Sequence, residues 1–349
     1  MTIVDIKGEI MIYLLKENRV FRSYYGGKRL DRLYGKKVCE DSQFPEEWIA
    51  STVRAFNAGR ENIVEGPGVC EDGTLLSDKI QKNPIEFLGE TQYDKYGSNM
   101  SILVKLLDSA ERLFIQCHPT VPFAKKYFNS DFGKTECWYI ISAENDACVY
   151  IGFKPEITRE KWQICFDNQD IEGMLALMHR VNVKEGDLVF VEGGVPHAIG
   201  GGCLLCELQE PTDYMVIPER KSKSGITLTD EKMHGGLGFE KMMDCFVYNG
   251  FSESELFNRY IRHPKIKEDI LSPIVDSTIT NRFKMDMLKV RKGTAVDLGE
   301  SYAVAVVING SVQINERLYK CGAELFITAN SGSMIFSGDG DIMICRPAD

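Results

Sequence analysis

Two stretches of this chain, KEGDLVFVEGGVPH at 184–197 and KCGAELFITANSGS at 320–333, align without a gap when Gly186 is set against Gly322. Each reads as a glycine turn, a short apolar run with Phe190 opposite Phe326, and a second turn. A short apolar run bounded by glycine or asparagine is a strand signal, because the turn residues tolerate positive φ and the run suits a buried sheet. Its recurrence predicts a doubled β unit. The C-terminal hundred residues continue the pattern with FKMDMLKV, YAVAVVINGSVQI, AELFITA and SMIFSG. Asn309-Gly310 predicts a two-residue hairpin turn, whose central positions both need positive φ. Helices are expected at the margins, in EEWIASTVRAF, LLSDKIQKNPIEFLG, VPFAKKYF, TREKW and DIEGMLALMHR. The polar stretch SESELFNRYIRHPKIKED reads as a connector. The expected organisation is a first β unit with helical segments over 1–240, a connector over 241–275, and a second β unit over 276–349.

The chain has five histidines in 349 residues. Two of them stand in informative company. LFIQCHP carries Gln116 and His118, KTECWYII carries Glu136, and GGVPHAIG carries His197. Residues two apart on a strand share a face, so Gln116 and His118 are expected to point the same way, with Glu136 and His197 arriving on neighbouring strands. Two imidazoles, a carboxylate and an amide oxygen suit Zn²⁺ with positions left open for substrate; Fe²⁺, Mn²⁺, Co²⁺ and Ni²⁺ also fit such a set. Ser333 replaces His197 in the second copy and no histidine follows His263, so the ion is expected in the first unit only. His179, in an expected helix, and His263 read as structural or solvated. His234, in the glycine-rich EKMHGGLGFE, reads as a loop residue with a lesser claim to the substrate side.

Composition narrows the setting. The chain is 44% hydrophobic and long enough to bury two cores without staples. Eleven cysteines lie scattered without a spaced framework, and MTIVDIKGEIMIYLLKEN lacks the features of a leader, so a reducing cytoplasmic compartment is expected. The Cys203–Cys206 pair of CLLC, and Cys117 and Cys137 beside the ligands, read as packing thiols. The longest apolar runs, such as YAVAVVI, fall far short of the roughly 20 residues of a membrane span. A net charge of −10 argues against a nucleic-acid surface. An anionic small molecule is compatible with local cations at Lys105, Lys134 or the run Arg220, Lys221, Lys223, the last of which also reads as a solvated loop.

The motifs YYGGKRL, EEWIAS, VKLLD, QCHP, GKTECWY, PHAIG and ELQEPTD follow one another in the order found in the type I phosphomannose isomerases, and the chain resembles that family along most of its length. The resemblance implies a mainly β fold of two cupin units, each a jelly-roll β-barrel, with a few peripheral helices. It implies one Zn²⁺ per chain on Gln116, His118, Glu136 and His197, and interconversion of mannose 6-phosphate and fructose 6-phosphate through an enediol. No nucleic-acid or membrane partner is implied. Such a reaction needs a group that shuttles a proton between two carbons and groups that stabilise an oxyanion, and Lys134 and Glu207 are the candidates. Glu47 and Lys105 are the expected substrate-binding residues. The chain departs from the family pattern in three places. The family's arginine in its T-Y-R segment falls on Ile217, with Arg220, beyond Pro218, as the candidate replacement. Phe114 stands where the family has serine, and Tyr25 where many members have tryptophan. Two other readings stand beside it: a sugar-binding cupin that is non-catalytic or of altered specificity, having lost the family arginine, and a non-haem iron oxygenase, since two histidines and one carboxylate also make that facial triad. The position of Gln116 and the neighbouring lysines disfavour the oxygenase.

Overall fold

The computed structural model describes residues 12–57, 59, 60 and 62–348. Most of the N-terminal stretch considered above, residues 1–11, lies outside them. Among the described residues every strand pairing is antiparallel, which lets neighbours join through short turns.

The site is built on a seven-stranded sheet ordered Ile261–Arg262, Leu188–Val191, Glu136–Ala143, Cys203–Gln209, Leu103–Ser109, Glu46–Ile49 and Arg19–Val20. Leu188–Val191, Cys203–Gln209 and Leu103–Ser109 are buried along their whole length, so they show no clean alternation of apolar and polar residues. A three-stranded sheet, Met178–Asn182, Cys148–Phe153 and His197–Ile199, lies beside it. The eight-stranded sheet holds Ile12–Leu14, Glu324–Ile327, Ala303–Ile314, Ser333–Pro347, Phe283–Val290 and Ser272–Val275 in that order, with Thr294–Asp297 and Arg317–Lys320 joined at its flanks. Its first strand comes from the opposite end of the chain to its neighbour. One apolar cluster runs through both large sheets, from Trp138 and Leu205 to Met285, Phe326 and Met343, and a second gathers Phe153, Trp162, Met174 and Phe246 under the helices.

The repeat is met strand for strand. Leu188–Val191 and Glu324–Ile327 occupy the aligned positions. Gly186 and Gly322 precede them with φ of 86° and 85°, a conformation that glycine adopts without steric cost. Gly186 N–H donates to Ile140 O at 2.9 Å, and Gly322 N–H to Val307 O at 2.8 Å. The partner strands correspond as well. Glu136 stands opposite Val191, and Ala303 opposite Ile327. Ala303 therefore fills the place of Glu136 in the second copy, as Ser333 fills that of His197.

Four expectations need correction. EEWI is a fully buried strand, not the start of a helix; with all four residues covered, no alternation marks it in the sequence. The helix at DIEGML stops at Ala176, and His179 lies on strand Met178–Asn182, its Nε2 against Phe251 O at 2.8 Å. His234 ends a short helix, Asp230–His234. Asn309-Gly310 is not a hairpin turn: strand Ala303–Ile314 runs through it with a register shift, because Gly310 lies so close to strand 333–347 that a Cβ there would sit 2.2 Å from Asp339 O. The turn falls at Asn315-Glu316, where Asn315 has φ 52°. VPFAKKYF forms the helix Val121–Phe128, capped by Thr120, whose side chain accepts from Phe123 N–H.

Candidate metal centre and adjoining pocket

Local backbone pairing brings the candidate ligands together. Gln116 and His197 exchange both backbone hydrogen bonds at 2.9 Å, and Cys117 does the same with Val216, so the segment before His118 is clamped between two others. Glu136 opens strand 136–143 and His197 opens strand 197–199. His118, Glu136 and His197 are all buried and offer ligand atoms within 4.8 Å of one another, the one such group of His, Cys, Asp or Glu among the described residues.

The second ring nitrogens are already spoken for. His118 Nδ1 lies 2.8 Å from Tyr214 O and His197 Nδ1 lies 3.0 Å from Val195 O, which fixes both Nδ1–H tautomers and turns each Nε2 lone pair into the cluster. Each Nε2 is 3.2 Å from a different oxygen of Glu136. Glu136 Oε2 and His197 Nε2 have no hydrogen-bond partner, although both are buried. Orphaned polar atoms converging in this way suit a cation, and the two-imidazole, one-carboxylate donor set fits a divalent transition metal. Burial, reinforced by Lys134, depresses His118 to about 3, and burial also lowers His197. Burial opposes ionisation of Glu136, but Lys134 and the two imidazoles outweigh it and hold the carboxylate well below its usual range. The ligands are thus in the deprotonated forms that bind metal. Lys134 Nζ lies 3.2 Å from Glu136 and 2.8 Å from His118 Nε2.

Lys134 and Gln116 also line a pocket that opens beside the centre. Four cations face it, Arg22, Lys105, Lys134 and Lys232, with the carboxylates of Glu46, Glu207 and Asp213 among them and Phe114, Met215 and Ile217 on the apolar wall. Lys105 lies 3.1 Å from Glu207, 3.8 Å from Glu46 and 4.9 Å from the centre of the Trp48 ring. Burial raises the Glu207 carboxyl against the pull of Lys105. Burial also opposes ionisation of Glu46, but Arg22 and Lys105 outweigh it and hold Glu46 at about 2.

The expected site residues therefore divide. His118, Lys134, Glu136 and His197 meet at the centre, and Gln116, Lys105 and Glu207 line the pocket beside it. Glu47 does not reach it. On strand 46–49 it faces the other way from Glu46, and it meets Arg19, Asn18 and Glu324 between the two large sheets. Arg220 does not reach the pocket either: it pairs with Asp230 at 2.6 Å on the surface, 39% exposed, because the chain beyond Pro218 turns outward. Lys221 and Lys223 are solvated. His263, against Asp187 at 2.8 Å, and His234, edge-on to Phe239, stand elsewhere. Arg22, Glu46, Asp213 and Lys232 belong to the pocket and escaped the sequence reading. Only Glu46 left a usable trace, since it and Trp48 lie two apart and share the face that Trp48 takes opposite Lys105. All eleven cysteines are unpaired, and Cys117, Cys137, Cys203 and Cys206 are buried. No helix among the described residues is long and apolar enough to cross a membrane.

Residues 39–150 match the family model for the phosphomannose isomerase type I catalytic domain. The chain is 28% identical over 329 residues to the "Probable mannose-6-phosphate isomerase GmuF" of Bacillus subtilis, covering 93% of this chain and 95% of the relative. The crystal structure of mannose 6-phosphate isomerase from Bacillus subtilis superposes with a TM-score of 0.72 at 21% identity, over 96% of this chain and 99% of that one. A zinc-bound mannose 6-phosphate isomerase structure gives a TM-score of 0.72 at 15% identity, over 97% and 100%. Over residues 39–150 the chain is thus similar to the phosphomannose isomerase type I catalytic domain, and along its whole length it shares the fold of solved mannose 6-phosphate isomerases.

Proposed function

We propose that this protein is a zinc-dependent isomerase that interconverts mannose 6-phosphate and fructose 6-phosphate. The observation that carries the reading is the buried His118–Glu136–His197 cluster, its ligand atoms converging next to a pocket lined by four cations and a raised carboxyl. One zinc per chain would be held by His118, Glu136 and His197 with the amide of Gln116. When bound it supplies a Lewis acid for the substrate oxygens and adds positive charge beside a pocket already lined by four cations and three carboxylates.

The residues of the chain account for the rest. Exchange of an aldose for a ketose moves a proton from one carbon to the next through an enediol. Glu207, its carboxyl raised by burial and steadied by Lys105 at 3.1 Å, is suited to take that proton and return it on the neighbouring carbon. Lys134, which lines the same pocket, is suited to donate to the developing oxyanion. Phe114, Met215 and Ile217 keep water off one wall, which protects the enediol and strengthens every charge interaction inside. A phosphorylated sugar and a full set of unpaired thiols suit a cytoplasmic setting.

The test is a coupled assay with zinc-loaded protein and mannose 6-phosphate. Turnover that falls sharply in Glu207→Gln and Lys134→Met, with zinc retained, supports the reading. Zinc-loaded protein that binds the sugar phosphate but turns over no hexose phosphate overturns it in favour of a sugar-binding member without catalysis.

A further inference from the structure

The four cations of the pocket are not equally committed. Lys134 is engaged by Glu136 and His118, and Lys105 by Glu207, Glu46 and the Trp48 ring, and both are 3% exposed. Arg22 and Lys232 differ. The Arg22 guanidinium lies over Trp48, 4.8 Å from the ring centre, and its Nε donates to Glu46 at 2.9 Å. Its two terminal nitrogens reach Asp213 only at 3.3 and 3.4 Å, long for charge-assisted hydrogen bonds. The fork is held in place by the first two contacts and loosely used at its end. Lys232 comes from the other side, on helix Asp230–His234, and is half-buried. One of its three donors goes to Phe56 O at 2.8 Å, and Phe56 itself is 62% exposed, so the ammonium stands at the mouth of the pocket.

Asp213 ties the two together. Burial opposes its ionisation, but Arg22, then Lys105, Lys134 and Lys232, hold it lowered. One carboxylate is thus surrounded by four cations, two of which, Arg22 and Lys232, have donors to spare.

We infer that Arg22 and Lys232 form an anion clamp at the mouth of the pocket and bind the phosphate of the substrate, with Asp213 holding the two cations in register. The inference rests on the proposed isomerase reading for its substrate, but the clamp is defined by its anion. A phosphate monoester presents oxygens that accept from a guanidinium fork and an ammonium at once. With the phosphate at the mouth, the reacting carbons of the sugar extend inward toward Glu207 and the metal ligands.

The experiment uses the zinc-loaded full chain, parent beside Lys232→Gln, Lys232→Arg and Arg22→Lys. Two readouts are taken: the thermal shift produced by inorganic phosphate, and KM and kcat for mannose 6-phosphate beside unphosphorylated mannose. Lys232→Gln is expected to raise KM for the phosphorylated sugar by about tenfold or more, with a much smaller change in kcat, and to abolish the phosphate-induced shift. Lys232→Arg should retain both. Arg22→Lys, which keeps the charge but loses the fork, should fall between. If Lys232→Gln and Arg22→Lys both keep the parental KM and phosphate shift while remaining folded, the clamp is wrong. A parent that turns over no hexose phosphate, yet shows a phosphate shift lost in Lys232→Gln, overturns the isomerase reading and leaves the clamp standing.

Discussion

Replacing Glu324 by glutamine should stabilise this protein at alkaline pH and flatten its stability profile. Glu324, on strand 324–327 of the eight-stranded sheet, and Glu47, on strand 46–49 of the seven-stranded sheet, meet with their side chains almost fully covered. Tyr34 donates its hydroxyl to Glu324, Asn18 N–H donates to Glu47, and Arg19 lies 3.2 Å from Glu47. One guanidinium does not offset two buried carboxylates with Glu17 nearby. Burial pushes Glu324 up to about 8, and burial together with the charge of Glu324 raises Glu47 well above its ordinary value. The sign follows from which state holds the proton. Below 4.5 folded and unfolded chains are both protonated and the interaction is intact; above it the unfolded carboxyl ionises while the folded one does not, and stability falls until about pH 8. At about 1.4 kcal/mol per pH unit, one retained proton amounts to about 5 kcal/mol over that span, an upper figure for a coupled pair. Glutamine accepts from Tyr34 and donates to Glu47 without the charge. Urea unfolding followed by the fluorescence of the buried Trp48, Trp138 and Trp162 is the assay, at pH 5, 6.5 and 8. Glu324→Gln should match the parent to within roughly 1 kcal/mol at pH 5 and exceed it by a few kcal/mol at pH 8. Parallel curves at all three pH values would refute the reasoning.

Further outcomes follow from the centre and the core. Chelation of zinc should lower the melting temperature and re-addition restore it, by about 2.7 kcal/mol at a hundredfold excess of free metal over Kd, while elemental analysis of His197→Ala and Glu136→Gln should find the ion gone. Glu207→Gln should lower kcat by roughly a hundredfold to ten-thousandfold while zinc content stays constant; a kcat near that of the parent removes Glu207 from the proton transfer. Trp162, fully buried between Phe153 and Phe246, should cost about 3–5 kcal/mol when cut to alanine, read from urea midpoints, with metal content unaffected.

What could be read from the sequence follows the range of the interactions. His118, Glu136 and His197 were legible because each sits in a short motif of unusual composition, and because Gly186 and Gly322 mark strands that the structure places in equivalent positions. The pocket was not legible in the same way. Glu46 and Glu47 are adjacent, both buried, and differ only in which face of one strand they occupy. That strand shows no alternation, so nothing local says that Glu46 meets Arg22 and Lys105 while Glu47 meets Glu324. Arg22 and Lys232 are ordinary surface-type residues until Asp213, some 190 positions from Arg22, draws the guanidinium inward. Asn309-Gly310 shows the opposite case. Its dipeptide favours a turn, but ladder bonds to strand 333–347 on both sides keep the pair within the strand, where a bulge absorbs the extra residue and Gly310 takes φ 62°.

The pairing of Ile12–Leu14 with Leu325–Ile327 has a bearing on how the chain is made. These strands are separated by nearly the whole length of the protein, so the first cannot find its partner until the last tenth has left the ribosome. At usual synthesis rates that is a wait on the order of tens of seconds. During it the early segment stays unpaired, and strand 324–327, once formed, offers an open edge until the segment arrives. The docking of strand 12–14 onto strand 324–327 is then a late step of folding. Since Leu15 N–H also donates to Glu324 O, that same step closes over the carboxyl pair and sets its proton.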